Sequence, residues 1–474
     1  MYFTLLSHPD RSLQNTSLSC LWAYKSPSLV PYEERIRGLL DDTRWRDELT
    51  LLDVDSIPPD ARSEVISTII RVLFGVRLER RGHSGAERRS AVLSALAACT
   101  NKELGLLVDL MLKPIGWDRT QGFTTESGFR ETMVELGEEG ASQRQLVGFL
   151  TLLEDVLKNL GSRLVLYWPA LLGATIGITA TAHSRLEKAT DNSHATEQHT
   201  LEGEDLEDEL NGVEEIHGLP AFSLNLIRSI RQIGVKRFTD FFRIPAAFDF
   251  TPYMPAAFGA FISPRLSSFD KENTQAPSAL LEHFHSWTVD GIPSLPLGGF
   301  QSRDIAKVFD CLVATNVKPS VISKIFDIVE NIIYSSAGDE YVSEHVLEPF
   351  VSKLLSNLSC PMEKTKGSML PTTIGQRQII ILSEISQYSK EPEPASTLLA
   401  MILPLLRKPA KVMPDKVEVG LVKIVGDLIR LIPDLADRHS TSFQTMYRLL
   451  SQLFLTLQSH PARINIVSTF GHLS

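Results

Sequence analysis

The stretch that decides the fold is SQRQLVGFLTLLEDVLKNL, residues 142–160. Leu146, Phe149, Leu150, Leu153, Val156, Leu157 and Leu160 recur at the three- and four-residue spacing of one helix face. Ser142 is placed to cap the first turn, with Gln145 three residues on to return the bond. Gly161 stands where a C-cap is expected. The pattern predicts an amphipathic helix that buries one apolar stripe and turns Glu154 and Asp155 to solvent.

Working outward, the same period recurs along most of the chain. Upstream it predicts helices over Tyr32–Val54, Arg62–Leu78, Glu87–Cys99 and Glu103–Leu112. Downstream it predicts them over Arg303–Ala314, Pro319–Ser335, Val342–Leu358, Thr373–Tyr388, Pro394–Leu406, Pro414–Leu431 and Ser442–Gln458. Pro319, Pro394 and Pro414 fall in first turns, where a missing N–H costs nothing. Phe248–Trp287 is aromatic-rich and holds Pro252, Pro255, Pro264 and Pro277, so it reads as a tightly packed corner with Pro264–Arg265 at a turn. No alternating strand pattern stands out. The expected fold is all-α, a HEAT/armadillo-like α-solenoid of antiparallel helix pairs, because one pair cannot bury its apolar faces alone.

The expected organisation has four parts. Residues 1–30 read as irregular, being rich in Ser and Pro. Helical repeats occupy 31–182, and a disordered acidic insertion occupies 183–220. Helical repeats resume over 221–474 and run to an uncapped end. From Ala189 to Ile227 there are ten acidic residues and no Lys or Arg. Such a segment is either a solvated loop or an acidic tail for a basic partner. His183, His194 and His199 in or beside it read as loop histidines.

Composition narrows the function. The 474 residues are 43% hydrophobic, enough for burial throughout, and the net charge of −10 argues against a surface basic all over. The four cysteines, Cys20, Cys99, Cys311 and Cys360, lie far apart and include no CxxC, which points to a reducing compartment. Leu164–Ala182 is uncharged and close to spanning length, but Pro169, two glycines and three threonines favour buried turns of a repeat over a membrane span. Phosphate-loop, dinucleotide, zinc-protease, hydrolase and kinase signatures are absent. His283 and His285 sit beside Phe284 and Trp287 and read as packing residues rather than metal ligands. No cofactor, metal, small-molecule substrate or catalytic residue is expected.

The informative polar cluster is RVLFGVRLERRGHSGAERR, residues 71–89, which holds Arg71, Arg77, Arg80, Arg81, Arg88 and Arg89 around Gly82 and Gly85. Guanidinium forks at the rim of a turn suit backbone phosphates or an acidic partner. They equally suit a solvated loop whose arginines pair with neighbouring acids. Aromatics do not interleave with the bases, so sequence-specific reading of RNA is not indicated.

Several packing segments carry a resemblance in their order along the chain. These are IIRVLFG (69–75), ERRSAVLSALA (87–97), LVGFLTLLEDVLKNLGSRLVLYWPALL (146–172), the run from Ser229 to Leu281, and KVFDCLVATNVKPSVISKIFDIV (307–329). Together they resemble the DRIM family of small nucleolar RNA-associated proteins, over about residues 62–329 and more weakly to the end. No single motif is diagnostic. The resemblance implies a nuclear, nucleolar, non-enzymatic scaffold of the small-subunit processome that contacts pre-ribosomal RNA and ribosome assembly factors. Family members are several times longer, so it implies an internal fragment or a split gene model. It supplies no catalytic residues. The alternative is a HEAT-repeat adaptor in nuclear transport or trafficking.

Overall fold

The computed structural model describes residues 1–78, 85–119, 123–124, 128–129, 141–191, 220–289, 302–336, 340, 344, 347–365, 373–406, 414–435 and 437–473. The fold is all-α. A two-residue rung pairing Phe123–Thr124 with Gly128–Phe129 is the one strand pair among the described residues. Packing divides the chain into two compact units, Met1–Ile262 and Ser263–Ser474.

In the first unit, Glu33–Leu40, Pro59–Leu73, Asn101–Leu112 and Trp168–Asp191 pack one on the next as one layer. Trp45–Thr50, Gly85–Leu96, Gln143–Leu160 and Pro220–Arg243 form the other. Successive members of a layer meet, and Glu33–Leu40 with Trp45–Thr50, Asn101–Leu112 with Gln143–Leu160 and Trp168–Asp191 with Pro220–Arg243 also meet across the pair, as HEAT-type repeats require. Ser142 and Gln145 form the expected capping box at the start of Gln143–Leu160. Thr100 and Glu103 do the same for Asn101–Leu112.

The two longest helices of this unit run antiparallel, since Trp168 meets Phe241 and Thr179 meets Gly234. A Cβ at position 234 would collide with Thr179 Oγ1, so glycine lets the backbones close. Trp168 is fully buried and stands edge-on to Phe241 at 5.4 Å and to Phe248 at 5.2 Å. Its indole N–H donates to the Gly161 carbonyl at 3.0 Å. The uncharged Leu164–Ala182 stretch thus lies in the packed interior, as turns of a repeat. The helical run that holds it, Gln143–Ala189, is long and apolar enough to cross a membrane, and most of its apolar window is buried within the fold.

Four local expectations need correction. Residues 1–30 are not irregular: Arg11–Ala23 is a helix capped by Asp10, which accepts from Ser12 N at 2.7 Å. Leu18, Leu21 and Trp22 bury its inner face, and Gln14 Nε2 donates to the Leu6 carbonyl at 2.5 Å and to that of Val72 at 3.3 Å. Tyr32–Val54 is two helices, because Asp41 accepts from Thr43 N at 2.8 Å and from its hydroxyl at 2.7 Å, a local turn that interrupts the helical ladder. Gly161 caps the end of Gln143–Leu160 as expected, but in a right-handed rather than left-handed conformation (φ −49°), and it begins a 3-10 stretch, Gly161–Tyr167. A Cβ there would lie 2.5 Å from Ile244 Cδ1, so close approach explains the glycine. The helix before the acidic insertion runs on to Asp191, and the next begins at Pro220. Residues 192–219 of that insertion lie outside the described residues.

In the second unit, Ala279–Val289, Pro319–Ser336, Thr373–Ile385, Asp415–Ile429 and His460–Leu473 stack as one layer. Ser302–Asp310, Val351–Thr365 and Pro392–Leu406 stack as the other. Starts in the first layer recur every 40 to 55 residues or so, close to the period of two-helix units. Charged rungs join its members. Lys324 meets Glu282 at 3.1 Å, and Lys423 meets Glu384 at 3.2 Å. Arg377 forks onto Asp327 and Glu330, each at 2.5 Å, above the Phe326 ring.

Gly234→Ala is expected to cost about 1–3 kcal/mol through overpacking. Combining it with Thr179→Ala should recover part of that loss, read from the urea midpoint of each variant.

Candidate functional site

Of the six sequence-predicted arginines, the three whose side chains are described do not share one position. Arg71 lies in the last turn of Pro59–Leu73, in one layer, half-buried. Burial pulls its pKa down from the usual arginine value, and Asp109 on the next helix of the layer pushes it back up. Its Nε is buried and has no hydrogen-bond partner among the described residues. Arg88 and Arg89 lie on Gly85–Leu96, in the other layer. Arg89 donates from Nε to Asp155 on Gln143–Leu160, with 11% of the arginine side chain and 16% of the aspartate exposed. Arg77 falls in the Phe74–Leu78 turn, but its side chain lies outside the described residues, as do Arg80 and Arg81 altogether.

Glu154 and Asp155 are not simply solvent-facing acids. Asp155 takes Arg89 of the preceding helix in the layer, and Glu154 takes Arg237 of the following one. Two adjacent residues on one helix can serve both neighbours because each lies toward a different side of the ridge. Arg237 is 5% exposed and also faces Asp240 at 3.4 Å, whose carboxyl is pushed up by burial and drawn back by that arginine.

A further charged cluster escaped the sequence reading. Arg119 Nε meets Asp109 Oδ1 at 2.5 Å, and its Nη2 donates to Oδ2 at 2.9 Å. The same guanidinium lies over the Tyr167 ring, 5.4 Å from its centroid. Gly105 makes room: a Cβ there would stand 2.5 Å from Tyr167 Oη and 3.1 Å from Arg119 Nη1. The available signal was a lone glycine inside a helical pattern. Nothing in the sequence linked it to residues 119 and 167.

Of the histidines singled out by the sequence, His183 and His283 pack inside the fold, and His194 and His199 lie outside the described residues. His283 is fully buried, 4.3 Å from the Trp287 ring. His183 is buried on the Trp168–Asp191 helix, 3.2 Å from Glu187, and is not a loop residue. Among the described residues no three His, Cys, Asp or Glu side chains gather at metal-binding distance. A cavity of about 300 Å³ in the second unit holds Asp270, Asp310 and Lys307. Its Asp310 is tied to Lys353 at 2.7 Å and to Lys307 at 3.6 Å.

The family model described as "U3 small nucleolar RNA-associated protein 20, N-terminal" matches residues 1–474. The chain belongs to this family. A relative from Schizosaccharomyces pombe, named U3 small nucleolar RNA-associated protein 20, is 27% identical over 442 residues, 89% of this chain and 16% of the relative. The protein of the same name from Saccharomyces cerevisiae is 23% identical over 478 residues, 99% of this chain and 17% of the relative. The chain therefore spans about a sixth of the length of either relative.

Two thiols of this family member are poorly placed for nucleophilic chemistry. Burial pushes Cys99 up to about 11 and Cys311 up to about 12, so both are protonated at neutral pH. Both are expected to resist iodoacetamide at pH 7.5 in the folded chain and to react on denaturation, while half-buried Cys20 reacts first; mass spectrometry of the alkylated peptides gives the order. Asp155→Ala strands Arg89 in a largely buried position. Its expected cost is about 1–3 kcal/mol, below that for a fully buried pair, and Arg89→Met in the same chain should restore part of it in a urea melt.

Proposed function

We propose that this chain is a non-enzymatic helical-repeat scaffold of the nucleolar small-subunit processome, supporting pre-rRNA processing and small ribosomal subunit assembly. The observation that carries the reading is the family match along the whole chain, together with relatives whose printed name associates them with U3 small nucleolar RNA. The layered helices fit the role. Their apolar faces are consumed between neighbours, leaving helix ends and loops as binding surface held at set separations. The partners in this reading are pre-ribosomal RNA and ribosome assembly factors, in the nucleus and nucleolus. The contact candidates are Arg71, Arg77, Arg80, Arg81, Arg88 and Arg89. Because Arg89 is engaged with Asp155, the reversals that probe this surface are Arg77→Glu, Arg80→Glu, Arg81→Glu and Arg88→Glu.

The test is gradient sedimentation of the tagged chain from nuclear extract, with U3 RNA measured in each fraction. The wild-type chain should travel with the particles that hold U3 RNA, and the fourfold variant should move to light fractions. A wild-type chain that never leaves the light fractions rejects the scaffold reading. A variant that sediments like wild type removes the arginine loop from the interface.

A further inference from the structure

The helices Thr441–Thr456 and His460–Leu473 of the second unit turn large apolar side chains to water. We propose that their outer face is the docking surface for one further amphipathic helix pair of the same repeat type. The inference goes beyond the scaffold reading and uses neither the arginine loop nor RNA.

Four observations carry it. First, the exposed residues form one face. His460–Leu473 packs on Asp415–Ile429 and buries Ala462, Ile466 and Thr469. On its opposite side Ile464 is 55% and Val467 57% exposed, and Gly471 shares that side at helical spacing. On Thr441–Thr456, Leu455 is 78% exposed, and Tyr447 and Phe454 are open too. Tyr447 stands 5.2 Å from Phe470, which joins the two apolar strips. Second, the charge expected of a water-facing helix is missing. From His439 to Ser474 there is no Asp or Glu, and Arg448 and Arg463 are the only basic residues besides histidine, although 22% of the chain is charged. Arg463 is already engaged, since its Nε donates to the Leu457 carbonyl at 2.7 Å. The helix Arg11–Ala23 of the first unit shows the contrast: Ser12, Asn15, Thr16 and Ser19 are exposed, with Leu13 the one large apolar side chain among them. A polar outer side of that kind is what a terminal repeat needs. Third, neighbours in this layer close on glycines. Asp415–Ile429 turns Gly420 to Ile379 and Ser383, and Gly426 to Thr469. Gly471 repeats the feature on the outer side, where a Cβ would meet nothing within 4 Å. Fourth, about five sixths of either relative's length lies outside the matched stretch. At about 40–47 residues for each HEAT-type unit, that is ample for further pairs.

The probe is the stretch of about 100 residues that follows the matched region in the Schizosaccharomyces pombe relative, room for two such units. Biolayer interferometry reads its binding to the full chain, and hydrogen–deuterium exchange locates it. The wild-type chain should bind and gain protection over Thr441–Leu473. A variant with Leu455→Glu, Ile464→Glu and Val467→Glu should bind about tenfold more weakly or worse, because docking would bury its new charges. Gly471→Leu should weaken binding with every charge kept. Ser12→Glu with Thr16→Glu should change nothing. All these positions are exposed, so circular dichroism and urea midpoints should stay at wild-type values. Failure of the wild-type chain to bind the probe, or equal binding by the triple variant, overturns the proposal. A wild-type dimer in analytical ultracentrifugation that the triple variant dissolves assigns the face to a second copy and overturns it as well. Either outcome leaves sedimentation with U3 RNA, and so the scaffold reading, to be decided on its own.

Discussion

Where Gly234 lies against Thr179, two long helices approach so closely that no other residue fits at position 234 without movement. Much of the first unit depends on that crossing. It brings Phe241 onto Trp168, and it lets the chain beyond Arg243 fold back so that Phe248 and Phe250 close the same cluster. Phe250 then stacks on Phe242 at 4.2 Å. Burying aromatic rings of this size contributes roughly 1.5–3 kcal/mol each relative to exposure. Thr179 carries no unmet polar group into this interior, since its hydroxyl donates to the Thr175 carbonyl at 2.7 Å.

Charged rungs answer a different need. Apolar stripes hold neighbouring helices together but specify their axial register weakly. In the second unit the base of each rung sits on the later helix and the acid on the earlier one: Glu282 with Lys324, Asp327 and Glu330 with Arg377, Glu384 with Lys423. Pairs this exposed contribute about 0–1 kcal/mol, so their value lies in setting which turn meets which. Arg377 goes further. It also donates to the Ser323 hydroxyl at 3.1 Å, and its charged partners hold its pKa above the ordinary arginine value. Asn357 marks register in the other layer by donating to the Phe309 carbonyl at 2.8 Å.

Helical periodicity was readable wherever one face is apolar, which covers most of both units, and the Ser142–Gln145 cap was readable from spacing alone. What failed was anything decided by a residue distant in sequence. Gly161 does end the helix, but the contact with Ile244 that explains why it is glycine could not be read. Glu154 and Asp155 looked solvated because Arg89 and Arg237 lie far along the chain. The first thirty residues looked irregular because serines and prolines hid the Leu18, Leu21 and Trp22 stripe. For the candidate site, the arginine run was visible, but its division between two layers was not. Nor was the group around Asp109, whose members meet only once the helices stack.

The tryptophans have a practical consequence. Four of the five, Trp22, Trp45, Trp117 and Trp168, belong to the first unit, and Trp287 is the sole tryptophan of the second. Trp287 is fully enclosed, with the His283 imidazole 4.3 Å from its ring. Replacing the other four with phenylalanine would leave a chain whose ultraviolet emission reports on Ser263–Ser474 alone. Set beside the circular dichroism melt of the same chain, that emission would reveal whether the two halves melt together or one before the other.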